Sequence, residues 1–297
     1  MGKYSILRLI FHFVFIAALF IFNNVAAQVI ETTIPLIFDK SKSTIRTRFT
    51  PPKGYFWVKE IPKSFGEYMV NFPLHPPNFP IRDYKAVPID EQNFHIAILK
   101  IDVGDKDLQQ CADAWMRLYA EYLWSQKRFD EIGFEFTSGQ YFSWNDFKKG
   151  IRTKEYKNRV TFYNTGYTDD SYLNFRKYLT IIFRYAGTIS LDRESVPVLE
   201  NSEIQTGDFI IKPGSPGHSV IVVGVAKNAG GKRLYLLAES YMPAQDIHIL
   251  KNISKPAISP WYELDVAAPK TSTAKYMFKP TSIKRFHALE VKEKETP

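Results

Sequence analysis

The hydrophobic pattern of the chain changes period near residue 204, with helical spacing dominating before that point and strands after it. Before it, apolar residues recur at three- and four-residue spacing, which predicts a long helix with one apolar face. Its apolar positions are Leu108, Cys111, Trp115, Leu118 and Tyr122. A second helix is predicted from Asp169 or Asp170, either of which can cap it, to Gly187, which ends it.

Short runs of apolar and β-branched residues between turn signals predict five strands. These strands are Phe94–Leu99, Phe209–Ile211, His218–Val225, Arg233–Ser240 and Ile247–Leu250. Tight turns over residues 212–217 and 228–231 join consecutive strands, so the sheet is expected to be antiparallel. Helices followed by consecutive strands indicate an α+β fold rather than alternating βαβ units.

The pattern divides the chain into four parts. They are a signal peptide (1–27), a Pro-rich N-terminal arm (28–88), an α+β domain (89–290) and a charged tail (291–297). Residues 51–88 hold eight of the 18 prolines, which excludes a regular sheet or a long helix there. We expect the arm to lie on the domain, anchored by the aromatic run Tyr55–Trp57. Ser64 and Glu67 have the spacing of a capping box and predict a short helix.

The first 27 residues have the layout of a secretory signal. Lys3 and Arg8 precede the run Leu9–Phe22, which is apolar except for His12, and Val25-Ala26-Ala27 offers a cleavage site. Fourteen residues rise about 21 Å as a helix, short of a hydrocarbon core of about 30 Å. We therefore expect cleavage after Ala27 and no stable membrane anchor. The protein is expected to be exported, either to the periplasm or out of the cell.

Composition narrows the classes of function. The 297 residues are 45% hydrophobic and 24% charged, which is ordinary for a globular protein and excludes wholesale disorder. The net charge is +8, and loss of Lys3 and Arg8 with the signal leaves 37 basic against 31 acidic residues, or +6. This excess is too small to indicate a nucleic-acid partner. Motifs for zinc, phosphate and dinucleotide binding are missing, so no metal and no cofactor is expected.

Cys111 is the only cysteine, and a free thiol in an exported protein is either buried and inert or kept because it reacts. A reactive thiol needs a base, a helix N-terminus, or both. If the first helix begins at Gln110, its dipole stabilises the thiolate and the pKa of Cys111 falls below its ordinary value. If the helix begins at Lys106, Cys111 lies in the second turn and that benefit fades.

His218 and Glu239 are the residues that can complete a site around this thiol. A hairpin centred on Asn228-Ala229 pairs residues whose numbers sum to 457, so Glu239 is predicted to lie directly opposite His218. Directly opposite residues share a face, so the carboxylate can hold one imidazole nitrogen while the other faces the thiol. A shift of two in the register would place Tyr241 there instead. His248 is predicted to lie at the surface.

Four features together resemble the CHAP- and NlpC-type hydrolases, which are papain-like cysteine peptidases and amidases. They are Gln110-Cys111 opening an aromatic helix, Gly207-Asp208 before a strand, Gly217-His218 opening the next, and Glu239-Ser240 on a third. The resemblance implies a papain-like fold, with N-terminal helices packed on a C-terminal antiparallel sheet. Cys111 and His218 are 107 residues apart, so residues 126–200 would be a helical and irregular insertion.

The resemblance also implies roles for the site residues. Cys111 would attack an amide or peptide bond, with cell-wall peptides as the expected substrates, His218 would act as base and then acid, and Glu239 would orient His218. Gln109 and Gln110 are candidate oxyanion donors, and Ser240 and Tyr241 are further candidates for contact with substrate.

The chain as a whole also resembles a family of exported bacterial proteins known as domain of unknown function 4846. That resemblance implies no activity. The alternative to a hydrolase is therefore a non-catalytic module of the same fold that binds a glycan or peptide of the cell envelope, with Cys111 in its core.

Overall fold

The computed structural model of the chain describes residue 39, residues 41–156 and residues 159–290. The predicted signal peptide and the charged tail lie outside the described residues. Within them, no helix combines the length and the apolar character needed to cross a membrane.

A large antiparallel sheet of nine strands organises these residues. Its strands are β1 (Tyr55–Trp57), β2 (His95–Ile98), β7 (Ser195–Pro197), β8 (Phe209–Lys212), β9 (His218–Asn228), β10 (Arg233–Glu239), β11 (His248–Leu250), β12 (Trp261–Tyr262) and β15 (Ile283–Phe286). The order along the sheet is β2-β11-β10-β9-β8-β15-β7, with β1 paired to β9 and β12 paired to β10. All five predicted strands are present and lie next to one another in this sheet, in the order β2-β11-β10-β9-β8.

The helices and small hairpins surround the sheet. The α-helices are α1 (Ile45–Arg48), α2 (Phe65–Val70), α3 (Cys111–Ser125), α4 (Trp144–Lys148), α5 (Tyr172–Tyr185), α6 (Thr188–Arg193) and α7 (His287–Glu290). Short 3-10 turns span Phe129–Glu131, Asn201–Glu203 and Pro256–Ile258. Three separate hairpins pair β3 (Gly133–Glu135) with β4 (Tyr141–Ser143), β5 (Ile151–Tyr156) with β6 (Arg159–Asn164), and β13 (Thr271–Ser272) with β14 (Met277–Phe278). The α+β prediction is confirmed.

The two faces of the sheet bury different sets of side chains, as the alternation of a strand requires. Helix α3 covers one face, where its buried residues, Trp115 among them, join Ile221 and Val223 in the larger apolar cluster. The opposite face carries a smaller cluster that includes Val220 and Val222. Trp115 also donates a hydrogen bond from Nε1 to the backbone oxygen of Gly207 at 2.8 Å, which ties α3 to the chain just before β8.

The described part of the arm is less extended than its prolines predict. Strand β1 pairs with β9, and Trp57 packs edge-on against Trp261 with ring centroids 5.2 Å apart. Phe56 is 70% exposed, so the prediction that it anchors the arm is wrong. The short helix predicted from Ser64 is present as α2, with the Ser64 hydroxyl accepting from the Glu67 N–H.

The segment between the two long helices differs from its prediction. Residues 126–200 are predicted to be a helical and irregular insertion, but within them residues 129–165 contain the β3–β4 and β5–β6 hairpins as well as helix α4. Ser171, rather than Asp169 or Asp170, caps α5, because its side chain accepts from the Asn174 N–H. Asp169 instead accepts a hydrogen bond from the backbone N–H of Ser171.

Candidate active site

Helix α3 begins at Cys111, so the thiol lies in the first turn of the helix. Gln110 is the N-cap residue, and its backbone N–H donates to Asp113 Oδ2 at 3.1 Å. This start corresponds to the more favourable of the two predicted positions, where the helix dipole acts on the sulfur. Cys111 is partly buried and lines a surface cavity of about 250 Å³.

The thiol meets the sheet at the first residue of β9. Its Sγ lies 3.9 Å from the backbone oxygen of Gly217, to which it donates, and the backbone N–H of Ser219 also interacts with it. Gly217 has no room for a side chain, since a Cβ there would lie 2.1 Å from Thr188 Oγ1. The thiol therefore touches the main chain on both sides of His218.

The electrostatics at the thiol differ from the prediction. Burial raises the pKa of Cys111 to about 11, and the neighbouring Asp113 carboxyl also raises it. The backbone N–H groups of Ala112 and Ser219 favour the thiolate without outweighing burial. Asp113 is itself buried, which raises its own pKa to about 8. The prediction that Cys111 ionises below its ordinary pKa is wrong, because a helix start does not offset the loss of water around the sulfur.

The β9–β10 hairpin brings His218 to Glu239 by a register other than the predicted one. Pairs such as Leu236 with Gly224 sum to 460, and after a bulge Ala238 pairs with Ile221, which sums to 459. Glu239 thus lies diagonal to His218, not directly opposite. Without the bulge, Glu239 would face Ile221 and point away from His218, because neighbouring positions on a strand alternate faces.

His218 and Glu239 form a buried pair. His218 Nε2 lies 2.8 Å from Glu239 Oε2, and the two residues are 3% and 0% exposed. Burial is the largest single influence on Glu239 and opposes its ionisation, but His218 and His248 together outweigh burial and lower its pKa to about 2. A carboxylate only accepts, so Nε2 carries the proton and the neutral ring keeps its lone pair on Nδ1.

Gly217 and Ser219, whose main chain the thiol touches, flank His218 in the sequence. Within the described residues, no hydrogen bond joins the Cys111 thiol to this imidazole. The ring of His218 packs against Tyr241, Tyr276 and Phe278, with centroids 5.0, 4.6 and 5.9 Å away.

The other candidate residues, Gln109, Gln110 and Ser240, differ in their burial and in their hydrogen-bond partners. Gln109 is buried, its Oε1 accepts from Arg117 at 2.9 Å, and its Nε2 has no partner among the described residues. Gln110 lines the cavity and donates from Nε2 to Asp107 Oδ1. The Ser240 hydroxyl donates to the backbone oxygens of Gln245 and Gln109, so it serves as a structural tie.

The cavity that contains Cys111 lies between two parts of the chain. One side comes from residues 107–108 and 110–113 together with Met242, and the other from Phe183 and residues 186–188 and 214–217. The C-terminal end of α5 and the start of α6 therefore supply part of the wall. A larger cavity of about 830 Å³ is lined by residues 58–66 and 196–206, among others, and contains none of the predicted site residues.

Two residues of the site were not predicted from the sequence. His248 is 2% exposed and pairs directly with Glu239 across β10 and β11, so its prediction as a surface residue is wrong. The pairing of β10 with β11, which places His248 opposite Glu239, is the feature that could have indicated its burial. Asp113 was missed as well, although its position three residues after the N-cap is that of a capping acid.

A family model described as Domain of unknown function (4846) matches residues 45–285, and the chain belongs to that family. No curated protein and no solved structure matches the chain significantly.

Proposed function

We propose that the protein is an exported papain-like cysteine hydrolase of the CHAP or NlpC type, which cleaves an amide or peptide bond. The observation that carries this proposal is the order of groups at the end of the sheet. Cys111 opens a helix and lines a cavity, its thiol touches Gly217, and the next residue, His218, is held by Glu239. A nucleophile, a base and a carboxylate that orients the base are the parts of a catalytic triad, and here the thiol touches the residue before the histidine that the carboxylate holds.

The chemistry follows from the protonation states. His218 Nδ1 takes the proton of the Cys111 thiol while the sulfur attacks the carbonyl carbon, and Glu239 stabilises the imidazolium that forms. The imidazolium then protonates the leaving amine, which leaves a thioester on Cys111. Water, deprotonated by His218, hydrolyses that thioester and restores the thiol.

The oxyanion of each tetrahedral intermediate needs hydrogen-bond donors. The Cys111 backbone N–H lies in the first turn of α3, where helix N–H groups have no partner inside the helix. The unpartnered Nε2 of Gln109, whose amide is oriented by Arg117, is the second candidate donor.

The raised pKa of Cys111 favours a particular form of this mechanism. A thiol with a pKa of about 11 is protonated at neutral pH, so the sulfur of the resting site is a neutral thiol. Attack and proton transfer are then concerted, with His218 as general base, rather than starting from a preformed thiolate–imidazolium pair.

The test is turnover of peptidoglycan fragments and of a panel of amides and peptides by the purified full chain. Turnover is measured as the release of amines. We expect wild-type turnover, and none for Cys111→Ser, which keeps the size of the side chain but needs a stronger base. Glu263→Gln, a change in a surface ion pair, is the matched control and should behave as wild type. A wild type that never exceeds Cys111→Ser contradicts the hydrolase.

The second candidate is a non-catalytic module that binds a glycan or peptide of the envelope. The burial of the thiol and the missing thiol–imidazole hydrogen bond among the described residues favour it. Saturable binding of the same fragments by wild type and by Cys111→Ser, with no turnover by either, would support this candidate.

We also propose that the chain is exported after cleavage behind Ala27, to the periplasm or out of the cell. N-terminal sequencing of protein recovered from the envelope and the medium should begin at or near Gln28. Intact Met1 in membrane pellets would contradict this.

A further inference from the structure

The second carboxylate oxygen of Glu239 faces another histidine. Oε2 is taken by His218, whereas Oε1 is buried, has no hydrogen-bond partner among the described residues, and lies 3.7 Å from His248 Nε2. That nitrogen is also buried and without a partner in this part of the chain. Two unpartnered polar atoms pointing at each other in a sealed interior require an explanation, because each alone costs desolvation energy.

The tautomer of His248 is fixed by its other nitrogen. Nδ1 lies 2.9 Å from the backbone oxygen of Asp246, and a carbonyl oxygen can only accept. Nδ1 therefore carries a proton. In the neutral ring, Nε2 then holds a lone pair that faces the lone pairs of Glu239 Oε1, which is unfavourable. A proton on Nε2 turns the same geometry into an attraction between an imidazolium and a carboxylate.

We infer that His248 is a positioning residue that shares Glu239 with His218, taking a proton on Nε2 toward Glu239 Oε1. The carboxylate thus stands between two imidazoles, one on β9 and one on β11. When His248 is protonated, part of the carboxylate charge is committed to it. Less of that charge then remains to stabilise a proton on His218.

The groups around His248 leave Glu239 as its main partner. His95 on β2 packs edge-on with ring centroids 6.1 Å apart, and burial, followed by the charge of His248, lowers its pKa to about 4, so it is neutral. The Asp246 carboxylate lies 3.6 Å from Arg82 Nε and accepts the Arg82 backbone N–H. Tyr262 on β12 stays neutral, because burial and the charge of Glu239 raise its pKa.

The catalytic consequence rests on the proposed hydrolase function, whereas the sharing of Glu239 does not. His218 must be unprotonated to accept the thiol proton. A protonated His248 weakens the hold of His218 on its own proton, so the base remains available at lower pH. Two coupled imidazoles also give titration steps that belong to the pair rather than to one ring.

The test is the titration of histidine ring nitrogens by NMR in the full chain carrying Cys111→Ala, which makes the readout independent of turnover. We expect Nδ1 of His248 to be protonated at all pH values and Nε2 to gain its proton as the pH falls. In His248→Gln, whose amide can still donate to Oε1 but carries no charge, the apparent pKa of His218 should rise by about 0.5 or more. His95→Gln, a neighbouring buried histidine, is the control and should leave the titration of His218 unchanged.

Two results would overturn the inference about His248. An Nε2 of His248 that stays unprotonated down to pH 5, or a titration of His218 that is unaffected by His248→Gln, overturns the inference. If His248→Gln does not fold, the protonation of His248 Nε2 in the otherwise native chain still decides. Coupling without turnover in the wild type would refute only the hydrolase. With turnover present, the acid limb of its pH profile should move upward in His248→Gln by the same shift as the His218 titration.

Discussion

Cys111 Sγ lies 3.9 Å from the backbone oxygen of Gly217, one residue before His218. Gly217 has no side chain, and Thr188 packs into the space where one would be. The thiol and the wall of the cavity therefore meet at the residue that precedes His218. In this contact the thiol donates to the Gly217 oxygen, so Cys111 is protonated. Its reaction with alkylating reagents should therefore require loss of that proton.

Alkylation of Cys111 should depend steeply on pH. Because burial raises its pKa to about 11, the rate of reaction with iodoacetamide should be low near pH 7 and should still be rising above pH 9. In Asp113→Asn the profile should move to lower pH, since the Asp113 carboxylate opposes ionisation of the thiol. Mass spectrometry is unambiguous because the chain has one cysteine. A wild-type rate that has already levelled off at pH 7 would contradict this expectation.

Asp113 should make the folded protein less stable as the pH rises. Its folded pKa of about 8 lies above the ordinary value of 3.8, so the stabilising contribution of its proton is complete below about pH 4 and is lost as the pH rises to about 8. Between pH 5 and 7, wild type should lose up to about 1 kcal/mol per pH unit relative to Asp113→Asn. The measurement is urea unfolding of both proteins across this range. Parallel pH dependences would show that Asp113 ionises normally.

The strands around the site were predictable, but their exact register was not. Periodicity and turn residues are local signals, and they predicted His218 and Glu239 on adjacent strands. The bulge that brings them to the same face contains Val223, next to Gly224, where the ring of Trp57 fills the space of a side chain. Trp57 belongs to a segment more than 160 residues earlier, so no local pattern in the hairpin could indicate it.

The burial of the site residues, like the register of the strands, could not be predicted from local sequence. The sequence left the start of α3 open between Gln110 and Lys106, and the structure places it at Cys111, after the N-cap Gln110. The raised pKa of the thiol and the buried position of His248 depend on packing from distant strands and loops. A sequence can place a titratable group near a helix end, but the water removed from it is a property of the whole fold.

Gly224→Ala should destabilise the protein through its contact with Trp57. An added Cβ would lie 2.7 Å from Trp57 Cζ3, so we expect a loss of about 1–3 kcal/mol in the free energy of unfolding. Gly230→Ala in the turn of the same hairpin is the control, because its Cβ would meet only Asn228 Oδ1 at 3.5 Å. In a Trp57→Leu background the cost of Gly224→Ala should shrink, since the two residues are in contact. Equal costs in both backgrounds would show that Trp57 is not the cause.

His218 and Glu239 should act as one unit in turnover. His218→Ala removes the base and should abolish activity. Glu239→Gln keeps the size of the side chain but loses the charge that holds Nε2–H, so kcat should fall by about 10² to 10⁴. The double variant should be little worse than His218→Ala alone, because residues of one relay do not contribute additively.

This experiment also needs a check on folding, since both residues are buried. Thermal unfolding of each variant, with Glu263→Gln as the surface control, separates loss of chemistry from loss of structure. If Glu239→Gln retains full kcat while His218→Ala is inactive, the carboxylate does not orient the base. Tyr241, whose ring lies 5.0 Å from that of His218, would then be the next residue to vary. A double variant clearly worse than both single variants would mean that the two residues act in separate steps.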